Sequence, residues 1–152
     1  MELSYRCAVT DEADLLIDLY NKSFCQDFHR YGECPAYGRT KEHMQKSIKM
    51  FPKKIILCDN IPIGVISAEN KGNGDYYLGC LCVVPEYQNK GIGMRAIQHL
   101  LDSHTDWKRI SLITPADKDE NVYFYTQKCG FRIDGTELDG NVKVVRLIKE
   151  RQ

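Results

Sequence analysis

The segment from Tyr77 to Leu101 constrains the fold more than any other stretch, because a strand pattern and a helix pattern meet in it around glycines. The apolar run Leu78–Val84 has the length and composition of a buried strand. Pro85 ends this run, because proline cannot donate to a sheet ladder. After Gln88–Gly93, the apolar residues at helical spacing are Ile92, Ala96, Ile97, Leu100 and Leu101. The sequence therefore predicts a strand, a glycine loop and a helix, in that order.

A unit of this kind is suited to bind an anion. The first turn of a helix presents backbone N–H groups without a partner inside the helix, and the macrodipole adds about half a positive charge there. Lys90 adds a full charge. The spacing fits neither G-x-x-x-x-G-K-[ST] nor G-x-G-x-x-G, because Gly91-x-Gly93 is followed by Ala96. The loop is therefore predicted to hold a phosphate or pyrophosphate, outside those two nucleotide-binding classes.

Composition limits the classes of function. A chain of 152 residues fits one domain, residues 1–152, and 43% hydrophobic with 28% charged residues is typical of a soluble globular protein. Lys plus Arg equals Asp plus Glu, 21 each, which argues against a nucleic acid or an anionic membrane as partner. No apolar run approaches the ~20 residues that span a bilayer. We therefore expect a cytoplasmic protein.

The seven cysteines are odd in number and scattered, which favours free thiols in a reducing compartment. Cys80-x-Cys82 has no second pair at zinc-finger spacing, and no His-Glu-x-x-His motif occurs. We therefore predict no metal site.

The rest of the chain alternates strand and helix patterns. The predicted strands are Leu3–Val9, 54–58, 61–69, 76–84, 109–114, 131–138 and 142–149. Predicted helices follow the N-caps Thr10 (to about Phe24) and Thr40, follow the glycine loop, and run from Asp119 to Lys128. The three strands between 54 and 84 are joined by short turns and should be antiparallel, whereas the helical crossover makes the next strand parallel. We expect an α/β (α+β) fold with one mixed, mostly antiparallel sheet.

The segment Cys25–Arg39 differs from the rest, because it has no hydrophobic period. It is long for a connection in a compact domain, and its aromatic residues are typical of a binding loop. Its side chains of interest are Asp27, Phe28, His29, Arg30, Tyr31, Glu33, Tyr37 and Arg39. The alternative is that the aromatic rings only cap the core.

The motif Gln88-x-x-Gly91-x-Gly93 resembles the Gln/Arg-x-x-Gly-x-Gly/Ala signature of the GNAT superfamily of N-acetyltransferases. The preceding Val83–Tyr87 resembles the V-x-P-x-Y/F lead-in of that family. The predicted order β-α-α-β-β-β-α-β-α-β-β is similar to the GNAT fold over the whole chain.

The resemblance implies a site for acetyl-CoA. The residues around the pyrophosphate would be Gln88, Asn89, Lys90, Gly91, Ile92 and Gly93, and those along the pantetheine arm Leu81, Cys82 and Val83. A backbone N–H near Val83 would stabilise the oxyanion. Cys82 is either a reactive thiol beside the thioester or a buried structural cysteine.

A second family motif, N-x-x-x-x-x-x-Y-x-x-x-G-F, resembles the segment Asn121–Phe131. It implies that Asn121 contacts the coenzyme and that Tyr125 is the general acid for the leaving thiolate. Tyr125 stands five residues before Gly130, where the family has four, so Thr126 takes the family register. One inserted residue, as a π-bulge, restores Tyr125, whereas a regular helix turns it about 100° away.

The general base is left open. Some members of the family use a carboxylate on the central strand, at the position of Tyr77 here, and a tyrosine with a pKa near 10 is a poor base at neutral pH. Glu69, His29, Glu33 and a chain of water molecules are the alternatives.

The family also uses the region between its first two helices to bind the acceptor. This implies substrate-binding roles for Phe28, His29, Tyr31, Glu33 and Tyr37. We expect transfer of an acetyl group from acetyl-CoA to a primary amine of a small molecule or peptide, by direct attack. The alternative is a non-catalytic acyl-CoA-binding sensor or regulatory module. A homodimer is common in the family.

Overall fold

The structure is a computed structural model that describes residues 1–152. It contains a seven-stranded sheet, four α-helices and a π-helical turn, in the predicted chain order. The strands are β1 Leu3–Cys7, β2 Lys53–Cys58, β3 Ile61–Gly72, β4 Asp75–Val83, β5 Arg109–Pro115, β6 Arg132–Asp139 and β7 Val142–Glu150. The helices are α1 Ala13–Tyr31, α2 Lys41–Met50, α3 Ile92–Ser103 and α4 Asp119–Tyr123.

The strand order in the sheet is β1-β2-β3-β4-β5-β7-β6. The pairs β1–β2, β2–β3, β5–β7 and β6–β7 are antiparallel, and β4–β5 is parallel. The parallel pair follows from the crossover through α3, because a tight turn can join only antiparallel strands. The predicted mixed, mostly antiparallel α/β fold is confirmed.

The chain forms two compact units. The first comprises Met1–Glu69 and Gly79–Ile97. Its core is made of apolar side chains from α1, α2 and the strands, which stay at or below one tenth exposed. They include Ala13, Leu16, Leu19, Tyr20, Met44, Ile55, Ile56, Ile63, Val65 and Ile66. The apolar stripe of α1 thus forms the buried face that its helical spacing predicts.

The second unit comprises Asn70–Leu78 and Gln98–Gln152. Its core includes Ile110, Leu112, Phe131, Leu147 and Ile148. The edge strand β6 is exposed along its whole length. Charged pairs line that edge, among them Arg132–Glu150 at 2.6 Å and Arg146–Glu137 at 3.0 Å, and such charges discourage pairing with another sheet.

The predicted end of α1 was wrong. The helix continues to Tyr31, so the residues outside regular structure before α2 are 32–40. Gly32 ends α1 in the left-handed conformation at φ 74°, and its N–H donates to the Phe28 carbonyl. Aromatic residues weakened the helical pattern in the sequence, but they are tolerated in a helix that packs on a core. Glycine at the C-terminus is the signal that marks the true end.

One of the two predicted caps is confirmed. The Thr40 side chain accepts a hydrogen bond from the His43 N–H at 3.1 Å and caps α2. Thr10 instead lies in a 3-10 turn, Thr10–Glu12, that precedes α1. There the Glu12 carboxylate reaches backwards and accepts from the Val9 N–H at 3.1 Å, whereas Thr10 makes no capping hydrogen bond to the first turn of α1. None of the helices is long and apolar enough to cross a bilayer.

Candidate functional site

The glycine loop joins a 3-10 turn, Pro85–Tyr87, to α3. It reverses direction through two left-handed residues, Asn89 at φ 62° and Gly91 at φ 77°. Glycine adopts this conformation without strain and asparagine tolerates it. The Gly91 carbonyl accepts from the Arg95 N–H at 3.2 Å and starts the helix. The turn itself therefore favours glycine at position 91.

The loop keeps its polar groups towards solvent. Gln88, Asn89, Lys90 and Gly91 are exposed, whereas Ile92 is buried and anchors the helix. The N–H groups of the first turn of α3 have no partners inside the helix. Backbone donors, the helix dipole and the Lys90 charge therefore occur together on an accessible turn, as the sequence predicts for an anion site.

The strand that leads into the loop has one open side. Its parallel register with β5 covers only Asp75–Tyr77. Further along, the Val84 N–H donates to the Ile63 carbonyl of β3 at 2.8 Å. Successive peptide groups of a strand point in opposite directions, so the peptide groups of Val83 point away from β3. The Val83 carbonyl accepts from Gln88 Nε2 at 2.9 Å, which ties the first residue of the motif to the end of the strand.

Beside this segment, β3 and β4 approach each other closely. A Cβ atom added at Gly64 would overlap the Cys82 carbonyl oxygen, which is a backbone atom that cannot swing aside. In the sequence, Gly64 is a glycine inside the predicted strand 61–69, where it would be expected to weaken the strand. The structure shows that the glycine is needed because the backbone of β4 occupies the space of its side chain.

The segment after α4 contains the π-helical turn on which the choice between Tyr125 and Thr126 depended. This turn is Phe124–Lys128, and the Cys129 N–H donates to the Phe124 carbonyl five residues earlier. Tyr125 is 7% exposed and packs edge-on against Phe124 and Phe131. The Thr126 hydroxyl donates to the Val122 carbonyl at 2.7 Å. The extra residue that the family pattern requires for Tyr125 is thus present.

Asn121, the predicted coenzyme contact, lies in α4. Its side-chain amide donates to the Thr114 hydroxyl at 3.2 Å. Gly130, predicted to follow the helix, adopts the left-handed conformation at φ 79°.

The predicted bases lie in different settings. Glu69 is near the end of β3 and Tyr77 is in β4, both half-buried, and Lys71 Nζ lies 5.8 Å from the centre of the Tyr77 ring. His29 is on the exposed side of α1, and Glu33 follows the end of that helix. None of these geometries distinguishes a base.

The predicted acceptor residues lie at the end of α1 and in the loop after it, and three of them, Phe28, His29 and Tyr37, are in contact. Phe28 and Tyr37 stack at 4.6 Å between ring centres, with their planes 20° apart. His29 lies edge-on to Phe28 at 5.9 Å, and Arg30 lies 5.1 Å above the Tyr31 ring. The structure therefore brings helix and loop together here, although three of the five residues are helical rather than in a loop.

A further polar cluster lies inside the first unit, and sequence reasoning missed it. Arg39 Cζ stands 5.3 Å from the centre of the Tyr20 ring, and Lys53 Nζ lies 3.4 Å from the Ser67 hydroxyl. We call the group Tyr20, Arg39, Lys53, Ser67, Cys80 and Cys82 the buried cation cluster. Lys53 is only 6% exposed. A strand pattern that puts Lys53 on the same face as the buried Ile55 was the available signal.

The members of the buried cation cluster alter one another's ionisation. Burial lowers the pKa of Lys53, and the Arg39 guanidinium lowers it further. The Cys82 thiol, and after it Tyr20 and the two cations, lower the pKa of Cys80. The hydrogen bond with Cys80 raises the pKa of Cys82. A thiolate is therefore disfavoured at Cys82, which supports its interpretation as a buried structural residue.

All seven cysteines are free thiols. No group of three or more His, Cys, Asp or Glu side chains is arranged to hold a metal ion.

Comparison with known proteins agrees with this geometry. A sequence model of the Acetyltransferase (GNAT) family matches residues 16–131. The Bacillus subtilis protein YrkN is 31% identical over 70 residues, a segment that covers 46% of this chain and 38% of YrkN. The chain therefore matches less than half the length of that relative.

Solved structures share the fold over nearly the whole chain. An acetyltransferase from Thermus thermophilus superposes with a TM-score of 0.81 at 17% identity, covering 99% of this chain and 98% of that one. An acetyltransferase from Salmonella typhimurium that modifies the N-terminal serine of ribosomal protein L7/L12 gives 0.78 at 16% identity, with 99% and 95% covered. The putative acetyltransferase yncA of Salmonella typhimurium, solved with acetyl-CoA, gives 0.74 at 11% identity, with 97% and 93% covered. With the family model matching more than half of its length, this chain belongs to the GNAT family of acetyltransferases.

Proposed function

We propose that this protein is an N-acetyltransferase that moves an acetyl group from acetyl-CoA to a primary amine by direct attack. One observation carries the proposal: the loop Gln88–Gly93 opens α3 through left-handed turns at Asn89 and Gly91, with its backbone donors and Lys90 exposed. That arrangement suits a pyrophosphate. The structure of yncA with acetyl-CoA supports the choice of coenzyme.

The open side of β4 supports the second part of the coenzyme site. Pantetheine carries amide groups that pair with the backbone of an extended strand, as in the addition of a further strand to a sheet. Leu81, Cys82 and Val83 supply that backbone in our proposal, and an N–H near Val83 would donate to the oxyanion. We assign Asn121 to the coenzyme by the family pattern alone.

The reaction is balanced without a covalent enzyme intermediate. The amine nitrogen attacks the acetyl carbonyl carbon, the C–S bond breaks, and the amine loses one proton while the leaving thiolate gains one. We propose that Tyr125 gives its hydroxyl proton to the thiolate. The π-helical turn and the burial of Tyr125 support this role. Tyr77, Glu69, His29, Glu33 and a chain of water molecules stay open as routes for the other proton.

The acceptor is proposed to bind beside Phe28, His29, Tyr31, Glu33 and Tyr37. The stacked pair Phe28–Tyr37 offers an aromatic surface, and Glu33 can attract a cationic acceptor. Because one structural neighbour modifies a protein N-terminus, peptides belong in the set of acceptors to be tested, along with small amines.

A second function, an acyl-CoA-binding sensor without turnover, is favoured by one observation. The position at which some family members carry a strand carboxylate is Tyr77 here. A pure binder gives no loss of thioester absorbance when amines are added, so the same assay separates the two functions.

The test is a screen of small amines and peptides with acetyl-CoA, followed by loss of the thioester absorbance. Tyr125→Phe should lower kcat about a hundredfold, the low end of general acid catalysis, while the affinity for acetyl-CoA is unchanged. Thr126→Val is the matched control, since its hydroxyl is bonded to the helix backbone. A larger loss of kcat in Thr126→Val than in Tyr125→Phe would show that Tyr125 is not the acid.

A further inference from the structure

The buried cation cluster places two positive side chains in the first unit without a carboxylate partner. Arg39 donates from Nε to the Pro35 carbonyl at 3.0 Å and from a terminal nitrogen to the Ser47 hydroxyl at 3.4 Å. Lys53 has only the Ser67 hydroxyl, at 3.4 Å, and that hydroxyl itself donates to the Pro52 carbonyl at 3.0 Å. Both cations therefore have neutral acceptors and no ion pair.

This arrangement costs stability. A buried ammonium group loses the favourable free energy of hydration, and a long hydrogen bond of 3.4 Å to a neutral hydroxyl compensates little of that loss. The nearby guanidinium adds repulsion, because Arg39 and burial both disfavour the charged form of Lys53. A fold that needed only to pack its core would place an apolar residue at position 53.

The Tyr20 hydroxyl is the third polar group of the cluster, and its partner is weak. It is buried, the residue as a whole is 1% exposed, and no oxygen or nitrogen atom accepts from it. Its neighbour is the Cys80 thiol, and sulfur is a weak acceptor. An anionic acceptor near Tyr20, Arg39 and Lys53 would be a stronger partner for all three donors.

The cysteines of the cluster do not replace such a partner. A thiolate at Cys80 would supply one negative charge, whereas Arg39 and Lys53 carry two positive charges when both are protonated. Cys82 contributes no charge, because its hydrogen bond with Cys80 favours the thiol. Cys80 is only half-buried, unlike Cys82, so the cluster has one side that a small molecule can approach.

We propose that the buried cation cluster is the carboxylate-binding part of the acceptor site, and that the acceptor is therefore an amino acid or a similar small amine bearing a carboxylate. The planar guanidinium of Arg39, the Lys53 ammonium and the Tyr20 hydroxyl are donors that suit a carboxylate group. The inference rests on the proposed function, because it identifies the class of the amine that the enzyme acetylates.

The position of the cluster in the chain supports this assignment. Cys82 lies in the strand segment that we propose for the pantetheine arm, Cys80 directly precedes that segment, and Arg39 lies in the same loop as the proposed acceptor residue Tyr37. A carboxylate held by Arg39 and Lys53 would thus belong to a molecule whose amine is a few bonds away, at the thioester. Holding one end of the acceptor fixes the attack distance of the other.

The experiment compares each standard L-amino acid with its α-carboxamide as acceptor. The two differ in charge at one group and little in shape. The amide also lowers the pKa of the neighbouring amine, so kcat/KM is compared per concentration of free amine, and this ratio isolates the carboxylate. We expect the acid to be preferred by about tenfold or more, since a site built for a polar group rejects an analogue that cannot satisfy it. A 1-aminoalkylphosphonate with the side chain of the best amino acid tests whether the site prefers a carboxylate to another anion. A higher kcat/KM for the phosphonate than for the amino acid would overturn the carboxylate assignment.

Two variants localise the effect. Lys53→Met and Arg39→Gln should each bring the acid-to-amide ratio close to one, mainly through a higher KM for the acid. Lys54→Met is the control, because Lys54 is adjacent in β2 but outside the buried cation cluster. Equal use of acids and amides by the unmodified protein, or an unchanged ratio in both cluster variants, would overturn the proposal.

A binding measurement keeps this inference separate from the proposed function. Thermal unfolding is followed with coenzyme A present and with amino acids or their amides added. If no amine is acetylated, the proposed function fails, but stabilisation by acids alone, lost in Lys53→Met, would still support the carboxylate site. Equal shifts with acids and amides would overturn it whether or not turnover occurs.

Discussion

The glycine loop and the buried cation cluster both concentrate positive charge in the first unit, but they do so by opposite means. The loop uses backbone N–H groups, a helix dipole and the exposed Lys90, all of which water can solvate while the loop is empty. The cluster uses side chains, with Lys53 6% exposed and the buried Tyr20 hydroxyl next to only a thiol. The comparison teaches that exposed positive groups cost little stability, whereas buried positive groups without a charged partner lower it.

The largest expected effect lies in the glycine loop. Gly91→Glu places a carboxylate where we expect a pyrophosphate and puts a side chain on a residue at φ 77°. Acetyl-CoA at a hundredfold over its dissociation constant should stabilise the unmodified protein by about 2.7 kcal/mol, and this should disappear in the variant. Thermal unfolding with and without acetyl-CoA measures it. Gly91→Asn is the control, since asparagine tolerates the left-handed turn and carries no charge. A stabilisation by acetyl-CoA that is retained in Gly91→Glu would show that the coenzyme does not bind at this loop.

The next effect concerns the backbone beside the cluster. Gly64→Ala forces a methyl group against the Cys82 carbonyl, and overpacking of this kind costs about 1–3 kcal/mol of unfolding free energy. Gly79→Ala, where the nearest atom to a new Cβ is 3.9 Å away, should change stability far less. Urea unfolding of both variants tests the contrast. Similar stabilities would mean that β3 and β4 can separate at Gly64, and that the cluster is less rigid than the structure indicates.

A smaller effect, of opposite sign, tests the cost of the buried charge. Lys53→Met should raise the unfolding free energy at neutral pH by roughly 1 kcal/mol without any acceptor, because an apolar side chain replaces an unpaired buried cation. Urea unfolding at pH 7 measures it. A destabilised variant would show that Lys53 is well solvated or well paired, and the contrast with the loop would fail.

The same pair of proteins should respond differently to alkaline pH. Burial lowers the pKa of Lys53 in the folded state below its usual 10.5. At a pH between the folded and the unfolded pKa of Lys53, the unfolded chain binds more protons than the folded chain, so stability rises with pH. Above the pKa of the unfolded state, Lys53 is neutral in both states and its buried charge no longer destabilises the fold. Arg39, Cys80 and Cys82 face Lys53 and remain in both proteins. The advantage of Lys53→Met should therefore shrink as pH rises towards 10.5 in urea titrations, and a constant advantage would contradict the assigned cause.

The smallest effects are expected at the proposed acceptor aromatic residues, which lie at the end of α1 and in the loop that follows it. Tyr37→Ala removes the ring that stacks on Phe28 and should raise the Michaelis constant of bulky acceptors by about tenfold at most, the value of one aromatic contact. Glu33→Gln should raise the Michaelis constant of cationic acceptors only. Affinity for acetyl-CoA should stay constant in both. A lower melting temperature in Tyr37→Ala with unchanged acceptor kinetics would mean that these rings only cap the core.

The two regions also differ in how far the sequence predicts them. The glycine loop is a local feature, because strand, glycines and helix follow each other within Leu78–Leu101. The change from a strand pattern to a helix pattern can therefore be read from the sequence. The boundary of α1 was missed because the aromatic residues after Phe24 masked the helical pattern, and tertiary packing overrides such weak propensities. The buried cation cluster draws on α1, the loop before α2, and the strands β2, β3 and β4. No short pattern links residues that are so far apart in the chain.

By itself, the sequence determined the order of the elements, the mixed sheet and the glycine loop between strand and helix, because hydrophobic period and glycine placement act over a few neighbouring residues. It also raised the question of the register at Tyr125 without deciding it. Only the tertiary structure decided that a π-helical turn forms at Phe124–Lys128, that Gly64 makes room for the Cys82 carbonyl, and that Lys53 is buried without an ion pair. These features depend on what packs against each residue from distant parts of the chain, and packing is a property of the assembled fold.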